Sequence, residues 1–317
     1  MKSCAGLSYN FRSKIASIIA NASRYIVLIA CSYMLLYPLL YIILGSIKAP
    51  VDFNDPTVVW IPKHFTFDNI KLSVEVMQYG KAFWSSIING IIPAFLQFCI
   101  SALAAYGLAR FKFKGRSILI GLLLLSILVP EIMIIIPKYV SFSHMDFLGF
   151  FGWIYEITGV DLRLRLIDTS ATFILPAILG VGIKGGFFIF IFMQFFRGMP
   201  KELEEAAWID GAGPLKTFLS IIVPSSGSAA ITVILFAVVW NWGNNLQSQM
   251  FLTDNYPLSV QLESLPQLLL HIVASDGQAK AVLLSACGLF LIPVIIFYIV
   301  LQRKFIESIT TTGITGT

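Results

Sequence analysis

Charge is what this chain has least of. Only 12% of its 317 residues are Asp, Glu, Lys or Arg, about half the roughly 25% usual for a soluble domain. No charge lies between Arg24 and Lys48, between Lys81 and Arg110, or between Lys280 and Arg303. Such stretches exclude a water-soluble fold. Cysteine is also scarce: Cys4, Cys31, Cys99 and Cys287 show neither metal-ligand spacing nor a disulfide framework, and they are expected to be small buried hydrophobes. His64, His144 and His271 are equally dispersed, so neither a metal site nor a His-based triad has support. The phosphate-cradling GxxxxGK[ST] pattern is missing. No cofactor and no catalytic residue is expected.

What the chain does have is apolar length. It is 57% apolar, its mean hydropathy is +0.83, and its runs exceed the roughly 18 residues that mark a spanning helix. Besides the three charge-free stretches, apolar segments cover about 117–141, about 172–196 and about 218–240. The reading is an all-α membrane protein with six transmembrane helices. Its first helix is too long for a signal h-region, and no small-residue cleavage site follows it.

Basic residues orient the helices. The tail carries Lys2, Arg12, Lys14 and Arg24 without an acid, and the second connection carries Arg110, Lys112, Lys114 and Arg116 without one. The first, third and fifth connections mix signs. Both termini and the even connections are therefore expected in the cytoplasm. Residues 1–24 form a cytoplasmic tail, 25–302 the membrane domain, and 303–317 a second tail. The same asymmetry explains the pI near 9.0 without nucleic acid.

Against this background, Arg197–Pro224 is a polar island of crowded charge: Lys201, Glu202, Glu204, Glu205, Asp210 and Lys216. It is the second even connection, so a partner that meets it is cytoplasmic. Pro200 suits a helix start, and the three glutamates sit where a helix dipole favours carboxylates. Ala206 and Ala207 leave a bare face on which another surface can close. Gly211 supplies the φ > 0 needed for a sharp turn after Asp210. Pro214 can start a second helix, over 215–222, which runs into the membrane with Pro224 at the entry to the fifth span.

Other residues carry open alternatives. Glu131, between Pro130 and Pro137, is either a functional intramembrane carboxylate or the outer end of a broken helix satisfied by water or Lys138. Lys184, followed by Gly185 and Gly186, either snorkels or faces a cavity or a carboxylate. Trp240, Asn241 and Asn244 have the chemistry that stacks on and hydrogen-bonds a sugar. The same pattern also marks an interfacial Trp belt. Ala102, Ala105, Gly107 and Ala109 permit a close helix approach. Residues 142–170 are long for a connection. With Phe147, Phe150, Phe151, Trp153 and Tyr155, they suggest an amphipathic segment on the outer face.

Glu205-Ala206-Ala207, then Gly211, Ile221 and Val223-Pro224, resembles the EAA motif of ABC-importer permease subunits. Val223 stands where Leu is usual. Ser46-Ile47-Lys48, Phe65-Thr66-Phe67-Asp68-Asn69, Ala105 through Phe111 with Phe113 through Arg116, Pro130 with Pro137, Trp240-Asn241, and Gln302 through Gly313 are similar to the carbohydrate-uptake branch of that family. The resemblance spans nearly the whole chain. It departs in the longer 142–170 stretch and in the final residues. It implies the type I importer permease fold and a bacterial plasma-membrane location. The implied partners are a second homologous permease, cytoplasmic ABC ATPase subunits, an extracytoplasmic solute-binding protein and a sugar substrate. It assigns ATPase coupling to Glu205, Ala206, Ala207, Asp210, Gly211 and Pro224. Glu131, Trp240, Asn241 and Asn244 are the substrate-pathway candidates. Three other readings stand beside it: a permease for a polyol, glycerol phosphate or peptide; a permease-like sensor or scaffold; and an ion-coupled carrier. The carrier should show inverted repeats.

Overall fold

A computed structural model describes residues 3–146 and 149–314, with side chains described over 17–146 and 149–304. The chain is built from helices in two compact units: Met1–Ser73 with Leu270–Gly288, and Val74–Leu269 with Leu289–Thr317.

In the first unit, α1 (Ser3–Ser46) continues without a break through the residues read as an N-terminal tail. Over residues 17–44 it carries no buried residue, and burial begins only at Gly45 near its end. The chain beyond it is held by side chains that satisfy backbone carbonyls. Asn69, near the start of α2 (Asp68–Val76), donates to the carbonyls of Ser46 and Lys48 at 3.1 and 2.9 Å. Lys48 is buried and donates from Nζ to the carbonyls of Val58 and Val59 at 3.2 and 3.3 Å. Asp52 accepts from the backbone of Lys63 and His64 and lies 2.8 Å from the His64 ring nitrogen Nδ1. Trp60 sets its ring edge-on to Tyr37 at 5.0 Å.

The second unit is organised around α3 (Tyr79–Arg110), which contains a π-turn at Ile87–Ile91. Gln97, Ser101, Ala102, Ala105 and Tyr106 are its buried residues in the middle and last turns. The small ones let α8 (Gly185–Gly198) and α11 (Gly227–Trp242) pack closely on it. Phe188, Phe192, Met193 and Phe196 of α8 and Val233 and Ala237 of α11 complete one apolar cluster with Ala102 and Ala105.

Two expected spans are interrupted. The 117–141 run folds as α4 (Arg116–Leu128) and α5 (Glu131–Ser143), bent by 104°. Pro130 forces Val129 out of the helical region, as the residue before a proline requires. The 172–196 run also splits, into α7 (Ala171–Ile178) and α8, with Leu179–Lys184 non-helical between them. Lys184, expected inside a helix, instead holds φ +56° just before α8. A Cβ at Gly185 would collide with the carbonyl oxygen of Gly180, so the break needs glycine there.

Between these spans in sequence lies α6 (Phe150–Thr158), where an amphipathic segment is expected within 142–170; its Phe150, Trp153 and Ile157 are exposed. Phe147 lies outside the described residues. Next come α9 (Glu202–Ile209), α10 (Pro214–Ser225) and α11, the last two bent by 84°. The chain closes with α12 (Asn245–Phe251), α13 (Leu258–Ile272) and α14 (Asp276–Ile314).

Among the described residues, three helices are long and apolar enough to cross a membrane, or five if each bent pair is one crossing. Cysteine burial corrects the sequence reading. Cys31 and Cys99 are exposed and Cys287 is half-buried, because an apolar side chain on a lipid-facing surface needs no protein cover.

Close packing on α3 predicts the effect of added volume. Ala105→Leu overfills a fully buried site and should destabilise by about 1–3 kcal/mol. Thermal unfolding in detergent should show a lowered Tm, while Phe95→Leu, at an exposed position of the same helix, should leave it nearly unchanged.

Candidate functional site

The polar island folds as a helix, a tight turn and a second helix. Lys201 precedes α9, and its carbonyl accepts from the amides of Glu204 and Glu205 at 2.9 and 3.1 Å. The helix stops at Gly211, which holds φ +78°. The amide of Ala212 reaches back to the carbonyl of Ala207 at 2.9 Å, and that of Gly211 to Trp208 at 3.0 Å. This is the paired closure of a glycine-terminated helix. Pro214 opens α10, where its missing N–H costs nothing.

The three glutamates do not share one role. Glu202 and Glu205 are exposed, but Glu204 is buried and turned inward. Its carboxylate Oε1 lies 2.6 Å from Nε of Arg110, the last residue of α3, with both side chains about nineteen-twentieths buried. Arg110 also donates to the carbonyl of Met199, at the end of α8, at 2.9 Å. Burial pushes the Glu204 carboxyl above the ordinary Glu range, against the pull of Arg110 and, more weakly, Lys201. Arg116 donates to the carbonyls of Leu108 and Ala109 at 2.8 and 3.1 Å, closing the end of α3. Tyr106 stacks near Phe218 of α10 at 5.0 Å and meets Phe196 of α8 edge-on. The island is therefore clipped to the helix core by a buried ion pair and a ring cluster.

Its outer side is different. Glu205, Ala206, Asp210, Gly211 and Pro224 are exposed, as are Leu203, Trp208 and Ile209, the last at 86%. Ala207 is buried. The structure thus divides the alanine pair expected to form one bare face: Ala206 looks outward and Ala207 packs inward, 100° of helix rotation apart. Apolar Leu203 and Ile209 take over much of the outer surface.

The second feature is a cavity of about 690 Å³ where the broken helices meet. Glu131, Lys138, Lys184, Trp240 and Ser126 line it, with the backbone of Leu179–Gly186 as one wall. Trp240 is packed against Phe236 and Phe188 at 5.1 and 5.6 Å, so one indole face is already committed to protein. Glu131 accepts a hydrogen bond from Gln247 of α12. It forms no ion pair with Lys184 or Lys138 among the described residues, although all three line the same space.

A smaller void shares Lys138, Gly182 and Ile183 with the cavity and adds Gln97, Asn241, Gln247 and Thr172. Asn241 is buried and donates to the carbonyl of Ala237 at 2.9 Å and, weakly, to Gln97 at 3.5 Å. Asn244 lines neither space. It caps α12 by accepting from the amide of Gln247 at 3.3 Å. Of the four pathway candidates, Glu131 and Trp240 face the cavity, Asn241 its neighbour, and Asn244 a helix end. Sequence reasoning missed Gln97 and Gln247. Gln97 was recognisable as the one amide in the middle of the otherwise apolar Ile91–Ile100 run. Gln247 carries no comparable signal, since its partner Glu131 is distant in sequence.

Residues 97–310 match the family described as the binding-protein-dependent transport system inner membrane component. The chain belongs to that family. It is 27% identical over 90% of its length to the arabinooligosaccharides transport system permease protein AraQ of Halalkalibacterium halodurans, covering 93% of that protein. Against the diacetylchitobiose uptake system permease protein NgcG of Streptomyces coelicolor it is 25% identical, covering 94% of this chain and 92% of that one. Against the trehalose transport system permease protein SugB of Mycobacterium tuberculosis the figures are 27%, 89% and 93%. A solved bacterial ABC transporter chain, involved in importing the acidic polysaccharide alginate, superposes with a TM-score of 0.67 at 17% identity, covering 92% of this chain and 98% of that one. The fold is therefore that of an ABC-importer permease. The chain is a multi-pass membrane transport subunit, not an enzyme.

The buried pair predicts an asymmetric mutational response. Glu204→Ala strands the Arg110 guanidinium and should destabilise by about 3–5 kcal/mol, the usual cost of breaking a buried pair from one side. Thermal unfolding of the purified subunit complex checks this. Glu202→Ala, at an exposed position of the same turn, should shift the midpoint little.

Proposed function

We propose that this chain is one of two permease subunits of an ATP-driven importer for a sugar or oligosaccharide. A second homologous permease completes the pathway, an extracytoplasmic solute-binding protein delivers the cargo, and cytoplasmic ABC ATPase subunits supply the drive. The relatives named above take up arabinooligosaccharides, diacetylchitobiose and trehalose by their descriptions, which supports the sugar class.

In this reading the membrane domain, 25–302, crosses six times with both termini inside. The two bent pairs each make one crossing, and the interrupted α7–α8 pair makes the sixth. The bare apolar surfaces of α1 and α14 then face lipid or the second permease.

The observation that carries the mechanism is the two-sided island. Its outer face offers Glu205, Ala206, Asp210 and Gly211 to a partner, while its inner face is clipped to α3 through Glu204 and Arg110. A push on α9 by a closing ATPase pair is thereby delivered to the ends of α3, α8 and α10 together. Glu205 meets basic groups on the ATPase, Gly211 is the pivot, and Pro224 marks where the second helix turns toward α11. The four pathway candidates, Glu131, Trp240, Asn241 and Asn244, belong to the region that this movement opens and closes.

Gly211→Arg, which adds bulk at a left-handed turn, and Glu205→Lys, which reverses an exposed charge, should each abolish uptake while membrane insertion and subunit co-purification persist. Normal uptake by these variants in proteoliposomes holding the full complex would sink the coupling role.

A further inference from the structure

We infer that the cargo of this permease carries an anionic group, and that Lys138 and Lys184 receive it in the cavity beside Glu131 and Trp240. The inference rests on the importer reading and narrows its cargo.

The charges on the cavity wall do not balance. Lys138 and Lys184 bring two ammonium groups and Glu131 one carboxylate. That carboxylate is engaged by Gln247. Lys138 has the Glu131 carboxylate as its nearby counter-charge without a direct ion pair, and Lys184 has no hydrogen-bond or ion-pair partner among the described residues. An ammonium left without a counter-charge at membrane depth is costly, so such groups pair or mark a ligand pathway.

The depth is set by the helices. Arg110 joins the ends of α3 and α8 on the island side of the molecule. The break after α4, 13 residues on, and the break before α8, 14 residues back, then lie about 20 Å from that side. A hydrocarbon core is about 30 Å thick, so in the six-crossing reading, with upright helices, the two breaks fall about two-thirds of the way across it, and Lys184 is exposed on the surface of the single chain.

The backbone points the same way. Lys184 occupies the position before α8, a helix of 14 residues whose positive end opens at the cavity wall. Gly182, Gly185 and Gly186 belong to that wall, and their missing side chains let the Gln97 amide, the Gly180 carbonyl and the Ser126 hydroxyl pack directly against it. By contrast, Glu131 lies in the first turn of α5 and offsets that helix's own positive end. The net field therefore favours an anion near Lys184. At about 690 Å³ the space has the size of small-molecule sites and holds one or two sugar rings. Trp240 can supply the apolar wall for a ring face.

The test uses the complete importer, with its own ATPase, second permease and binding protein, in proteoliposomes. The radiolabelled probes are digalacturonate, glucose 6-phosphate, glycerol 3-phosphate and maltose. Uptake of digalacturonate or glucose 6-phosphate at least tenfold above maltose is expected, and the preferred probe tells a carboxylate from a phosphate. Lys184→Gln and Lys138→Gln should each reduce that uptake at least tenfold, Lys184→Arg should retain most of it, and all three variants should co-purify with their partners. Maltose uptake that both Gln variants leave unchanged overturns the anion site and leaves the sugar importer standing. Glycerol 3-phosphate uptake that the Gln variants abolish keeps the anion site and overturns the sugar reading. Loss of subunit co-purification in the Gln variants assigns the lysines to the contact with the second permease and overturns the inference. Uptake of none of the probes overturns it as well.

Discussion

The constraint on which the rest depends is that a backbone inside a bilayer finds no water. Each helix leaves its last four carbonyls without intrahelical donors, and in hydrocarbon such groups must be met by protein. At the two ends of its helices, where the chain folds back on itself, a small set of polar side chains meets them. Asn69 serves the carbonyl at the end of α1, Arg116 those near the end of α3, and Arg110 that of Met199 after α8. Residues that look like a signature of function in the sequence spend their hydrogen bonds on helix ends. Only after that obligation is met does Arg110 have a second use, the ion pair with Glu204. Structural closure and mechanical linkage share one guanidinium, and its planar fork of donors is what permits both.

The same constraint explains where the helices are allowed to break. Non-helical backbone at membrane depth is tolerated where it is buried or lines a cavity. The Val129–Pro130 bend and the Leu179–Lys184 segment both border one space, and Trp240 near the end of α11 borders it too. The breaks thus come as a group: each borders one space that the others help to enclose. Gln97 belongs to this logic, since its amide donates to the carbonyl of Ile183 in the non-helical segment. A polar residue in the middle of α3 is affordable because the neighbouring break leaves a carbonyl in need of a donor.

How much of this was legible in the sequence follows from the range of the forces involved. The long charge-free stretches gave α1, α3 and α14 because hydrophobic length is a local property. The island's helix and turn were legible because Gly211 and Pro214 act on their own backbone. The bend at Pro130 was half legible, since proline announces a break without its angle. The split of the 172–196 run was hidden. Hydropathy averages over a window, and Leu179, Val181 and Ile183 keep it apolar while Gly180, Gly182 and Gly185 undo the helix. The alanine pair misled because neighbouring helix positions diverge by 100°, and here that turn carries Ala207 into the core while Ala206 stays outside. The inward turn of Glu204 was out of reach, because its partner lies 94 positions away and three consecutive-looking acids offer no reason to single one out.

One further step joins the island to the cavity. The clip at Arg110 gathers the ends of α3 and α8 at one point, while α8 runs from that point to the cavity wall at Gly185. A helix is stiff along its axis. Displacing its island end therefore moves Gly185 and the Lys184 backbone against the α4–α5 break, where Ser126 stands close to Gly186. On the other side, α10 passes the same displacement through the 84° bend at Ser226 into α11, which carries Trp240. The two walls of the cavity are thus reached from one island along two paths, α8 and α10–α11, which meet again where Trp240 packs on Phe187 and Phe188.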